Sequence, residues 1–177
     1  ALEIITMSTK TDLRLHAFDL SGAELAGFPK QYDLPPSTFD PDSEMYVSDH
    51  GVLSIADLDA DGYPEIACSY SNRIYLFDHQ GNVLPGWPFI APAYNGKIML
   101  FENAAASGDI DGDGQLELFA VGRGYNCGGC ETQLYGWRKD GSVLPDWPKT
   151  DETDDIVLWN RSSVQNTPVL VDTDGDG

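Results

Sequence analysis

The sequence predicts an all-β protein built from one small antiparallel sheet repeated along the chain. Short runs of alternating β-branched and aromatic residues recur between Gly- and Asn-containing turns. No stretch of the 177 residues carries the 3.6-residue periodicity of an amphipathic helix. Three segments also align with one another: LRLHAFDLSGAELAGFPK (13–30), NRIYLFDHQGNVLPGWPF (72–89) and TQLYGWRKDGSVLPDWPK (132–149). Such self-similarity is the signature of a repeat architecture.

The alignment defines the elements. Gly22, Gly81 and Gly141 coincide, as do Phe28, Trp87 and Trp147, each followed by proline. Upstream of each segment lies a second match, LEIITMS (2–8), PEIACSY (64–70) and LELFAVG (116–122). In the central copy VLSIA (52–56) reads as the first strand, EIACSY (65–70) as the second and RIYLFD (73–78) as the third. The turn HQGN then leads into VLPGWPF (83–89), read as the fourth. Four short antiparallel strands with a Gly-centred hairpin amount to the content of one propeller blade. The links 31–51, 90–103 and 150–167 are longer and richer in Pro, Asp, Asn and Ser. We therefore expect one segment over 1–177, with blades at 1–30, 52–89 and 104–149 and the start of another at 168–177. The first blade would lack its opening strand and its acidic loop.

That acidic loop is the chemical signal. Residues 57–65 read DLDADGYPE, residues 109–117 read DIDGDGQLE, and 172–177 read DTDGDG. Alternate aspartates repel one another and disfavour strand, so a compensating cation is expected. An oxygen-only cluster of this spacing suits Ca2+, which takes six to eight oxygens in flexible geometry. The candidate ligands of the first loop are Asp57, Asp59, Asp61, the carbonyl of Tyr63, and Glu65. Those of the second are Asp109, Asp111, Asp113, the carbonyl of Gln115, and Glu117; the third offers Asp172, Asp174 and Asp176. Gly62 permits the sharp turn around an ion. Joining DTDGDG to the opening ALE completes the motif with Glu3 in the place of Glu65 and Glu117. Three whole repeat lengths cut inside one loop are expected of a segment of a longer chain, or of a unit in a tandem array. An EF-hand is excluded, because position 12 is Cys68 or Ala120 and strands flank the loops. An acidic turn without metal is the competing reading, and three copies in register weigh against it.

The unit, strand–DxDxDGxx[DE]–strand–hairpin, resembles the FG-GAP/VCBS-type repeat, the calcium-binding blade also found in the integrin α-subunit propeller. The LPGWP tail looks like the version common in secreted bacterial proteins. The resemblance covers nearly the whole chain. It implies a β-propeller, usually of six to eight blades, with calcium in the acidic loops. Three blades cannot close a ring, so it also implies further sequence or assembly between chains.

Charge narrows the function classes. Twenty-nine acids against ten bases give a formal charge of −19, and 11 of the acids lie in the three loops. Such a field repels phosphate backbones, which argues against nucleic-acid binding. No apolar run is long enough to span a bilayer and no signal peptide is visible, which leaves the compartment open. Three cysteines are too few for a disulfide framework. CGGC (127–130) falls on a hairpin rather than a helix start, so a local disulfide or idle thiols is preferred to a redox motif. Phe28, Trp87 and Trp147 suit packing between neighbouring blades better than a carbohydrate platform. His16 aligns with Tyr75 and Tyr135, His79 falls in a turn, and only His50, beside Asp49, stands in a context worth watching. No nucleophile motif is present, and Asn160-Arg161-Ser162 fits a glycosylation sequon.

These readings converge on an extracellular, calcium-stabilised, non-catalytic scaffold or adhesion module, taking a protein or glycan ligand or copies of itself. The alternatives are an accessory propeller of a secreted enzyme, such as a polysaccharide lyase or peptidase, and a repeating subunit of an extracellular filament. The face opposite the acidic loops, with 31–51, 90–103, 123–131 and 150–167, is the expected binding face. It carries Phe39, Tyr46, Tyr94, Tyr125 and Trp159.

Overall fold

The computed structural model describes residues 3–8, 13–32, 39–40, 45–46, 51–124, 132–150 and 167–171. Among them there is no helix, and every strand pair is antiparallel. The first sheet contains β1 (Ile4–Ser8), β2 (Leu13–Phe18) and β3 (Lys30–Tyr32). A small pair, β4 (Phe39–Asp40) and β5 (Met45–Tyr46), follows, with Phe39 opposite Tyr46. The second sheet is β6 (Gly51–Ala56), β7 (Glu65–Tyr70), β8 (Arg73–Phe77) and β9 (Phe89–Ile90). The third is β10 (Met99–Phe101), β11 (Ala106–Gly108), β12 (Glu117–Gly124), β13 (Thr132–Trp137) and β14 (Lys149–Thr150). Within each sheet the strands follow chain order, and no described sheet closes on itself.

Two details depart from the sequence reading. The fourth strand does not run over 83–89: Val83 makes only an isolated bridge to Phe77, and pairing resumes at Phe89–Ile90. In between, Leu84 N donates to Leu76 O and Trp87 N to Leu84 O, while Gly86 takes a left-handed φ of 87°. Pro85 and Pro88 have no N–H to give a ladder, so the strand must break there. Gly27 and Asp146 hold the same place and also have positive φ, and the aromatic–Pro bonds at 28–29, 87–88 and 147–148 are all cis. The second departure lies in the links, where Met99–Phe101 of 90–103 is a strand and Phe39–Asp40 pairs with Met45–Tyr46 in 31–51. The outer strand of the third sheet comes in two pieces, β10 and β11, because the eight-residue β12 is long enough to pair with both.

The sheets stack face to face, with the second in the middle. Strand alternation sends its side chains to opposite neighbours. Ile66, Cys68, Tyr70, Tyr75 and Phe77 meet Leu15, Ile5, Met7, Phe28 and Tyr32 of the first sheet. Ala67, Ile74, Leu76 and Trp87 meet Met99, Phe101, Leu118, Ala120, Tyr135 and Trp137 of the third. Both faces being covered explains why IACSY and RIYLF read as apolar runs rather than as a half-polar alternation. Trp137 is fully buried, with Phe89 4.9 Å and Tyr135 5.5 Å away between ring centroids. Cys68 is a buried free thiol facing Met7 Sδ at 3.1 Å, and burial pushes its pKa up to about 12.

Phe28, Trp87, Gly81 and Gly141 lie at the seams between sheets, whereas Gly22 has open space around it and Trp147 packs on the outer face of the third sheet. Trp87 is buried edge-on against Trp137 at 6.0 Å, so it packs rather than presents a surface. Phe28 packs on the core between the first two sheets, and Trp147 lies against Phe119 at 5.2 Å. Gly141 presses on Gly86, and Gly81 on Lys30 and Phe28, closer than a Cβ would allow. Tyr32 donates its hydroxyl to the Gly81 carbonyl. Pro168–Leu170 lies along the outer face of the third sheet, where Leu170 packs on Gly108.

Candidate metal centre

The two described acidic loops each connect a first strand to a second, β6 to β7 and β11 to β12. In the first loop the Asp57 carboxylate accepts hydrogen bonds from Asp61 N at 3.1 Å and Gly62 N at 2.9 Å. Asp61 Oδ1 accepts from Tyr63 N at 2.8 Å. These bonds curl the chain, helped by left-handed Ala60 and Gly62, so that carboxylate oxygens of Asp57, Asp59 and Asp61 lie within 4.8 Å of one another. Glu65 opens β7 and is almost wholly buried, and its Oε2 accepts from Leu58 N at 2.9 Å, closing the loop at its base.

The second loop repeats this construction. Asp109 accepts from Gly112 N, Asp113 N and Gly114 N at 2.7, 3.2 and 2.8 Å. Asp113 Oδ1 accepts from Gln115 N, and buried Glu117 Oε2 from Ile110 N at 3.1 Å. Here the oxygens that converge within 4.8 Å come from Asp109, Asp111 and Glu117. Leu116 N donates to Leu58 O at 2.8 Å, joining the two loops main chain to main chain. The amide of Gly114, joined by the amides of Gly112, Asp113 and Asp111, outweighs the upward effect of burial and holds Asp109 below the usual carboxylate range.

The loops differ in the cations they meet. Lys139, on the hairpin after β13, crosses from the third sheet to the first loop. Its Nζ donates to Asp59 Oδ2 at 2.5 Å and to Glu65 Oε1 at 2.8 Å. Burial lowers the Lys139 pKa, but the bonds to Asp59 and Glu65 outweigh it and leave the ammonium above its ordinary value. The hydrogen bond from Lys139 in turn holds Asp59 below its ordinary value. Asp59 Oδ1 is buried and has no hydrogen-bond partner. The preceding residue, Arg138, reaches the other loop, with Nη2 3.1 Å from Asp111 Oδ2 in a pair that is about two-fifths exposed. Asp59, Gly86, Gln115, Arg138, Lys139 and Asp140 help to line a cavity of about 430 Å³ between the two loops.

The structure brings together Asp57, Asp59 and Asp61 of the first loop and Asp109, Asp111 and Glu117 of the second, with Glu65 and Asp113 outside these converging sets, and sequence reasoning missed Arg138 and Lys139. Lys139 lies 80 residues from Asp59, and its only signal was its place two residues before Gly141, where the other repeats have Leu20 and His79. The Tyr63 side chain is exposed and stacks on His79 with centroids 4.5 Å apart. Glu3 is exposed just before β1. Tyr94, expected on a binding face, is half-buried against the core between the second and third sheets. Asp172, Asp174, Asp176, His50, Cys127, Cys130, Tyr125, Trp159 and Asn160 lie outside the described residues.

Residues 57–120 match the family model of the FG-GAP-like repeat, a span that begins at Asp57 and takes in both loops. The chain therefore carries an FG-GAP-type repeat. No curated protein and no solved structure matches it. FG-GAP repeats are generally non-catalytic, typically extracellular and often calcium-binding, and they serve as binding or scaffold modules. No helix among the described residues is long and apolar enough to cross a membrane. The loops fit a hard cation: the donors are oxygens only, three carboxylates converge in each, and Asp59 Oδ1 is left without a partner.

Proposed function

We propose that this chain is part of an extracellular β-propeller that calcium stabilises and that acts as a non-catalytic scaffold and adhesion module. The observation that carries the reading is the convergence of carboxylates in two loops built alike, one sheet apart. Asp57, Asp59, Asp61 and Glu65 would hold one ion, and Asp109, Asp111, Asp113 and Glu117 another, with the carbonyls of Tyr63 and Gln115 as further donors. Asp172, Asp174 and Asp176 with Glu3, or its counterpart in another copy, form the third set.

Calcium supplies the positive charge that offsets carboxylate repulsion in a chain of net charge −19. The turn amides orient Asp57 and Asp109, and Glu65 and Glu117 pin the loop bases to β7 and β12. The rigid stack then displays its links for recognition of a protein or glycan partner, or of another copy. Calorimetric titration of the chelated chain with calcium, followed by thermal melts, tests the reading. With calcium at about 100 times its dissociation constant, each filled loop adds about 2.7 kcal/mol. A chain that binds no calcium and melts identically in chelator overturns it.

A further inference from the structure

The two loops are alike in main chain but not in the cation that faces them. Lys139 Nζ bonds the two carboxylates, Asp59 and Glu65, that a calcium ion in the first loop would share. Glu65 is almost wholly buried, and its other oxygen is committed to Leu58 N, so Oε1 has no second route to charge compensation within the loop. The Arg138–Asp111 pair of the second loop is longer and more exposed, where solvent screening leaves an ion pair little energy. Glu117 Oε2 accepts from Ile110 N, and among the described residues no lysine pairs with that loop.

We propose that Lys139 is a built-in counter-cation of the 57–65 loop, delivered by the neighbouring sheet. Resting on the calcium reading above, the first loop takes calcium only by expelling the ammonium, whereas the 109–117 loop fills without that competition. An ammonium and a divalent ion on the same two carboxylates repel one another at close range. The coupling is reciprocal: whatever Lys139 costs calcium in affinity, calcium costs the lysine strap between the second and third sheets. The first loop is thus a calcium-responsive latch on the sheet interface, and the second a constitutive site.

The test uses the whole chain. Asp111→Asn and Asp174→Asn together disable the second loop and the third set so that calorimetry reads the first, with and without Lys139→Met, which keeps the aliphatic stem. The Met change tightens calcium binding by about tenfold, within the usual range of coupling between sites. Equal affinities with and without Lys139 overturn the proposal and leave the calcium reading standing. No calcium bound by any variant or by the parent chain overturns both. Amine acetylation of the unaltered chain, read by mass spectrometry against exposed Lys97, gives a check that needs no variant. Lys139 labels faster once calorimetry shows the first loop filled; an unchanged ratio at that point refutes expulsion.

Discussion

Lys139 is tied to the second sheet twice. Its main-chain carbonyl accepts the Trp87 indole N–H at 2.8 Å, while its side chain lies on Asp59 and Glu65 of the loop beyond. One hairpin residue therefore couples an apolar seam to a charged loop.

The Trp87 bond separates packing from hydrogen bonding. Trp87→Phe keeps a ring against Trp137 but strands the Lys139 carbonyl, and lowers stability by about 1 kcal/mol. Trp87→Ala also opens a cavity between the sheets and costs about 3–5 kcal/mol. Urea unfolding of the two variants measures the difference; equal losses would mean that the bond contributes and the ring does not.

Gly27 and Gly86 occupy the same repeat position with φ near +90°, yet their surroundings differ. A Cβ on Gly27 meets nothing within 4 Å, whereas one on Gly86 would sit 2.0 Å from the Asp140 carbonyl oxygen. Gly27→Ala therefore costs about 1 kcal/mol for the left-handed backbone alone. Gly86→Ala adds a main-chain collision between sheets and costs about 3 kcal/mol. Thermal melts of the pair check the ordering.

Asp78 sets an acid limit. Burial raises its pKa, but Asn82 and the turn amides of Gln80 and Asn82 overcome this and hold the carboxyl below its ordinary value. A depressed folded pKa means stability that is present above the unfolded value of about 3.9 and lost as pH falls through the folded one. Chelated protein should thus lose melting temperature below about pH 4, and Asp78→Asn should flatten that slope. A slope unchanged by the substitution would assign the loss to other carboxylates.

Calcium dependence should divide between the loops. Asp109→Asn keeps an oxygen for the turn amides but removes a charge from the converging Asp109, Asp111 and Glu117. One calcium is lost from the stoichiometry, and the chelator-induced drop in melting temperature shrinks by that site's share, about 2.7 kcal/mol at 100-fold saturation. A full response in the variant places the ion elsewhere.

The strands that flank the acidic loops and the Gly hairpins were legible because alternation, β-branched content and Gly turns are local properties, whereas Met99–Phe101, in a link, was not. The acidic loops were legible because their carboxylates recur at fixed spacing along one short segment. The broken fourth strand was legible too in principle, since two prolines bracket Gly86-Trp87. It was misread because the apolar content of VLPGWPF outweighed the missing donors.

Sequence by itself determined the repeat, the antiparallel sheets, and the grouping of Asp57, Asp59 and Asp61 and of Asp109 and Asp111. All of these depend on residues within one turn or one hairpin of each other. Tertiary structure alone decided which way β7 and β8 divide their side chains between two neighbours, that Gly86 and Gly141 must touch, and that Lys139 meets Asp59 and Glu65. Those contacts join residues dozens of positions apart, and stacking one repeat on the next is what brings them within a hydrogen bond. The same stacking makes two loops of one acidic pattern electrostatically unequal, because among the described residues only the first has a lysine from the following sheet above it.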